Sequence, residues 1–192
     1  MPEENKLTNR IIYSALENFI SRGIKKSSID EIARNSGVTR ITVYRYFENK
    51  ELLVRAVFLH IVNIIEVSGE YIDEDTRFEE ILDRMQAGLA ALPDGNLLVL
   101  MDELKLIYPD IYNEANTRRV AAFSRIFNSY FSNNSNCSEL RDELDPEFIQ
   151  VIIEYLILNI VKNPVFASTN LTQDELFSNI KRVILHGILK EG

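Results

Sequence analysis

The sequence predicts an all-α fold of about nine helices, with a small N-terminal domain over residues 1–49 and a larger C-terminal one over 50–192. Three observations predict it. Apolar residues recur at spacings of three and four over most of the chain. Only seven glycines and five prolines interrupt it, leaving long stretches unbroken. The strict alternation of a half-buried strand never persists, and no internal repeat is visible.

Each element has local signals. Leu7, Ile11, Ala15 and Phe19, flanked by Ile12, Leu16 and Ile20, mark one face of a first helix that Arg22-Gly23 stops. Ser28-Ile29-Asp30-Glu31 forms a capping box, in which Ser28 and Glu31 satisfy backbone N–H groups at the start of a short second helix ending at Gly37. A third runs from near Thr39 to Phe47. Lys50 opens a fourth, about 19 residues or ~28 Å long, with Leu53, Val57, Ile61 and Ile64 on one stripe. Thr76-Arg77-Phe78-Glu79 reads as another capping box, opening a helix that stops at Pro93-Asp94-Gly95. Asn96 to Tyr108 is the sixth, and Pro109 suits the first turn of a seventh reaching about Phe131. After the polar break NNSNCS, Asp145-Pro146 starts the eighth and Asn163-Pro164 closes it. Thr172-Gln173-Asp174-Glu175 caps the ninth.

Composition narrows the class. The chain is 46% hydrophobic and 26% charged, ordinary for a soluble globular protein. No apolar run approaches the ~20 residues of a membrane span, and MPEENKLTNR lacks the apolar core of a secretion signal. A single cysteine, Cys137, excludes an internal disulfide framework and fits a reducing cytoplasm. The sequons at Asn133, Asn136 and Asn170 therefore read as accidents of Asn-rich sequence. The net charge of −8 is unevenly spread. Residues 1–50 hold nine Lys/Arg against six Asp/Glu, whereas the remainder holds 12 against 23. Such a split suggests two jobs.

The second and third helices, joined by a glycine turn, form a helix-turn-helix unit. Its packing needs a small residue where the helices cross, which is Ala33, and a left-handed backbone at the turn, which is Gly37. It also needs apolar contacts, supplied by Ile32, Val38, Val43 and Phe47. Val43 and Phe47 are four apart and share the inward face. Arg40, Ile41, Tyr44 and Arg45 must then point elsewhere. Two guanidiniums, a phenol and an apolar wedge suit DNA: Arg forks onto guanine edges, Ile41 touches a thymine methyl and Tyr44 reaches a phosphate.

From about Leu7 to Phe58, through SSIDEIARNSGVTRITVYRYFENKELL, the chain resembles the tetracycline-repressor (TetR) family of bacterial transcription regulators. The resemblance implies that Ser28 contacts a phosphate and that Thr39 caps the recognition helix near the DNA backbone. Arg40, Ile41, Thr42, Tyr44 and Arg45 would face the major groove, with Tyr46 at its margin. Lys50 would grip a phosphate, favoured there by the helix dipole. Ile41 stands where many relatives carry a small residue or proline, so its base preference is not carried over. The family also implies a small-molecule effector that tilts the fourth helix, changes the spacing of the recognition helices in a dimer, and releases a palindromic operator.

Candidate liners of an effector pocket are Ile61, Ile65, Leu89, Leu100, Leu104, Phe123, Phe127 and Tyr155, each of which also fits plain core. Glu103 and Glu154 fall within apolar helices, where they would either attract a cationic ligand or lie on solvated faces. The eighth helix, EFIQVIIEYLILNIVK, is apolar on nearly every side and so is buried on two. With the ninth it could form a four-helix bundle between subunits, placing Ile152, Tyr155, Leu156, Ile180, Ile184 and Ile188 at a homodimer interface. The alternative is a central helix within one subunit. Catalysis is not expected: His60 and His186 are far apart, Cys137 lacks an evident base, and no phosphate loop, nucleophile elbow or metal-ligand spacing appears. No cofactor is expected. An architectural DNA binder and a regulator switched by a protein partner are the rival functions.

Overall fold

A computed structural model describes residues 2–95, 97–132, 139–160, 168 and 171–189. Nine helices lie among them: α1 (Pro2–Arg22), α2 (Ile29–Asn35), α3 (Arg40–Tyr46), α4 (Lys50–Ser68), α5 (Phe78–Ala90), α6 (Leu97–Ile107), α7 (Pro109–Phe131), α8 (Pro146–Ile160) and α9 (Gln173–Ile188). The described residues contain no strand, only an antiparallel bridge pairing Leu140 with Leu189. Asn96, Cys137, the three sequons and the Asn163-Pro164 stop lie outside the described residues.

The chain forms two compact units, and they do not follow a single cut. The first comprises Met1–Asn63 and Leu92–Asn116; the second comprises Ile64–Ala91 and Thr117–Gly192. Both α4 and α7 therefore start in the first unit and finish in the second.

In the first unit α1 packs on α2 and α6, and α2 packs on α3. The expected face of α1 is buried through Ile11, Ala15, Leu16 and Phe19, and α4 adds Leu53, Val54, Val57 and Phe58. Burying a side chain of this size contributes about 1.5–3 kcal/mol before chain entropy is set against it. The turn between α2 and α3 is a Schellman motif: Gly37 N–H donates to Arg34 C=O at 3.1 Å and Val38 N–H to Ala33 C=O at 2.9 Å. Gly37 sits at φ +64°, the left-handed conformation that the turn demands.

The second unit is built around an aromatic cluster. The Phe78 ring lies 6.3, 5.1 and 6.1 Å from those of Phe127, Tyr130 and Phe131. Ile81, Leu82, Ile126, Ile149, Ile153, Ile184 and Ile188 close around it. On α5, Gly88 lets the Ile64 side chain approach so closely that a Cβ there would lie 2.3 Å from its Cγ2.

Two sequence expectations are corrected. Thr76 does not cap α5, whose N-cap is Arg77 without a side-chain bond. The Thr76 hydroxyl instead donates to Asp73 Oδ1 at 2.6 Å and accepts the Asp73 N–H at 3.0 Å, a turn-forming pairing that outcompetes the helix cap. On α4 the buried stripe moves from Ile61 and Ile64, both half-buried, to Val62 and Ile65.

Candidate nucleic-acid interface

The local chemistry of α2 and α3 fixes which side chains are displayed. Ser28 caps α2 by accepting the Glu31 N–H at 3.2 Å, and the Glu31 carboxylate accepts the Ser28 N–H at 3.4 Å, completing the box. Thr39 caps α3 by accepting the Thr42 N–H at 3.1 Å, and the two threonine hydroxyls share a hydrogen bond of 2.9 Å. Val43 and Phe47 are buried, so the rotation of α3 is settled. Of its other side chains Arg40, Ile41 and Arg45 are exposed, and Thr42, Tyr44 and Tyr46 are half-buried.

On that face Ile41 is 81% exposed. Arg40 donates to Asp30 Oδ2 at 2.8 Å and to the Tyr44 hydroxyl at 3.4 Å, and its guanidinium stands 5.4 Å from the Tyr44 ring centre. The Tyr44 bond and then the Asp30 carboxylate raise the Arg40 pKa further above its ordinary value. Arg45 stands 5.4 Å from the Tyr46 ring centre, so Tyr46 serves as a platform for a cation. Arg40, Ile41, Tyr44 and Arg45 thus share one solvent-facing surface with Thr39 and the half-buried Thr42 at its start. Such a surface can donate forked hydrogen bonds and offer an apolar contact in the same place.

Lys50 is placed differently from the expectation. Its ammonium donates to the carbonyls of Ile24 and Ser27, each at 2.6 Å, and to that of Lys25 at 3.4 Å. All three of its donors face the turn between α1 and α2. Burial lowers its pKa from the ordinary 10.5, and the nearby Glu103 carboxylate opposes the shift. Glu103, on α6, accepts the N–H groups of Ile24 at 2.7 Å and Lys25 at 3.1 Å. Residues 24–27 are therefore held by a carboxylate on their donors and an ammonium on their acceptors. Sequence gave no sign of this clamp, because its partners lie 79 and 26 residues apart. Asp30, the partner of Arg40, was missed for a similar reason.

Residues 11–57 match the family model described as bacterial regulatory proteins, tetR family. Over this N-terminal head the chain is similar to the tetR family. SrpR of Pseudomonas putida, an HTH-type transcriptional regulator, is 42% identical over 55 residues, covering 29% of this chain and 26% of the relative. The probable acrEF/envCD operon repressor of Escherichia coli K12 is 28% identical over 112 residues, 55% of this chain and 49% of the relative. The chain thus spans half the length or less of these relatives. Two solved structures share the fold over nearly the whole chain. A TetR-family protein from Rhodococcus sp. aligns with a TM-score of 0.62 at 17% identity, over 97% of this chain and 100% of the other. NalD of Pseudomonas aeruginosa, the secondary repressor of a multidrug efflux pump, aligns with a TM-score of 0.56 at 20% identity, over the whole of both chains.

The tetR-family expectations for the C-terminal residues divide by unit. In the first unit Leu100 and Leu104 are buried and Ile61 is half-buried. In the second, Ile65, Phe123 and Phe127 join the aromatic core, and Leu89 is half-buried. Tyr155, expected in both pocket and interface, is 65% exposed. Ile184 and Ile188, expected at the interface, are buried in the core of their own unit, and Ile180 packs against it. Ile152, Tyr155 and Leu156, also expected at the interface, lie on the apolar surface that α8 leaves open together with Phe148 and Val151, and Val183 on α9 is open as well. Glu154 accepts from Gln150 at 3.0 Å and Ser124 at 3.4 Å. Among the described residues no group of His, Cys, Asp and Glu is placed to hold a metal, and no helix is long and apolar enough to cross a membrane.

Proposed function

We propose that this protein is a homodimeric DNA-binding regulator, and specifically a repressor that leaves a palindromic operator when a small apolar or amphipathic ligand binds. The observation that carries the reading is the outward face of α3. An isoleucine 81% exposed between two guanidiniums has no packing role in the chain, yet it is the surface that a major groove would use. The excess of basic residues in the first 50 supplies the matching electrostatics, although the whole chain carries −8. In this reading Ser28 and Thr39 sit along the sugar-phosphate edge, and Arg40, Ile41, Thr42, Tyr44 and Arg45 face the major groove, with Tyr46 supporting Arg45.

A seven-residue helix spans about 10 Å and reads only a few base pairs, so two copies about one DNA turn (~34 Å) apart are needed for a useful site. The open apolar stripe of α8 supports that pairing, since stripes of this kind mark protein interfaces. The relatives named as operon and efflux-pump repressors favour repression as the sign of control. The effector would enter the aromatic core around Ile65, Phe123 and Phe127 and stabilise the conformation that fits DNA poorly.

The test is a salt-resolved titration of the purified protein against duplexes selected from its own genome, followed by addition of apolar and amphipathic compounds. Tight binding to one or two promoter fragments, weakened by a compound, supports the reading. Many dispersed sites of equal strength would favour an architectural binder. No release by any compound would leave a constitutive one.

A further inference from the structure

We infer that Asp30 is a specificity-determining positioning residue, a buttress that aims the Arg40 guanidinium at a base and away from the phosphate backbone. The inference rests on the DNA-reading role proposed above and adds a residue that no expectation included.

Asp30 lies in the first turn of α2 and Arg40 is the first residue of α3, so the pair spans the helix-turn-helix unit from outside its core. The carboxylate takes one N–H of one terminal nitrogen at 2.8 Å. The Tyr44 hydroxyl takes one from the other terminal nitrogen at 3.4 Å, and the Tyr44 ring lies 5.4 Å from the guanidinium carbon. A guanidinium has five N–H donors in a rigid plane, so three remain for a partner once these two are engaged. Both side chains of the pair are 56% exposed, so the ion pair itself adds little stability; its effect is geometric. Glu31, next to Asp30, is already committed to the Ser28 cap and to Arg22, and so does not substitute. Arg45 offers an internal contrast. It has the same length and charge and an aromatic neighbour in Tyr46, but among the described residues it forms no ion pair with a carboxylate.

Two consequences follow from charge. A carboxylate beside the guanidinium weakens its pull on any passing phosphate, which lowers sequence-independent affinity. The same carboxylate restricts the rotamers of a long side chain, so more of the population presents the fork that guanine O6 and N7 accept.

The experiment selects binders from a random duplex pool with the wild type, Arg40→Ala, Asp30→Ala and Asp30→Asn, and then measures Kd on the wild-type consensus and on a scrambled duplex at two salt concentrations. The Arg40→Ala selection identifies the base position that Arg40 reads. For Asp30→Ala the expected result is loss of preference at that position alone and a fall of about fivefold or more in the consensus-to-scrambled ratio. Scrambled affinity should be unchanged or tighter, with a steeper salt slope. Asp30→Asn, which keeps an acceptor oxygen but no charge, should lie between. An unchanged ratio, or a uniform loss of preference at every position, would overturn the buttress while leaving the DNA-reading role in place. If the wild type enriches no sequence, both fall. Circular-dichroism melting of the two variants should match the wild type, since the carboxylate is exposed; collapse of both would make Asp30 a folding residue and overturn the inference.

Discussion

Lys50→Met keeps the length of the side chain and removes its ammonium, which makes it a sharp probe of the clamp on residues 24–27. Two bonds of 2.6 Å to the Ile24 and Ser27 carbonyls are lost, together with a longer one to Lys25. A hydrogen bond to a charged group contributes about 1.5–3 kcal/mol, but the ammonium is partly exposed and its burial has a cost, so the net loss should be about 2 kcal/mol. For a chain of this length that is a fall in Tm of about 4–8 °C. Hydrogen exchange should localise the damage, with faster exchange of the Ile24 and Ser27 amides and little change in α9. Differential scanning calorimetry and binding titrations on the same samples separate this role from phosphate contact. A phosphate-gripping Lys50 would give an unchanged Tm and a salt slope about one unit shallower. That pair of results would refute the clamp as the residue's main role.

Three further outcomes are expected. Glu103→Gln should weaken two charge-assisted bonds to Ile24 and Lys25 and cost about 1–2 kcal/mol, read as a lower Tm and faster exchange of those two amides. His60 lies edge-on to Tyr13 at 5.2 Å with Nε2 buried and without a hydrogen-bond partner, and burial lowers its pKa below the ordinary 6.5. The folded state then binds fewer protons than the unfolded one, so the stability that His60 allows is present above about pH 6.5 and is lost as pH falls below it. His60→Phe should shrink the drop in Tm between pH 7.5 and 5.5. Val151→Glu or Tyr155→Glu on the open stripe of α8 should shift the protein from dimer to monomer in analytical ultracentrifugation without lowering helicity, because neither side chain is buried in the chain's own core.

The fold was legible where its causes are local. The Ser28 and Thr172 capping boxes, Pro109 at the start of α7 and Gly37 at a left-handed turn each rest on contacts within a few residues, and each is found. Thr76 shows the limit of the same logic, because a capping sequence was outbid by Asp73 three positions away. The site was half legible. Which side chains α3 displays follows from the position of Val43 and Phe47, a fact of helical period. How those side chains are held does not, since Asp30 reaches Arg40 across a turn and Glu103 reaches Ile24 from a distant helix. Helical period also marked α8 as apolar on nearly every side without saying which side the chain covers itself. The structure assigns Ile149, Ile153, Ile184 and Ile188 to the internal core and leaves Phe148 and Val151 open.

The most direct measurement is fluorescence anisotropy of wild type, Arg40→Ala and Arg45→Ala on a selected duplex and on a scrambled one. If α3 reads bases, each substitution costs about 1–3 kcal/mol on the selected duplex and much less on the scrambled one. Equal losses on both duplexes, or none on either, would contradict it.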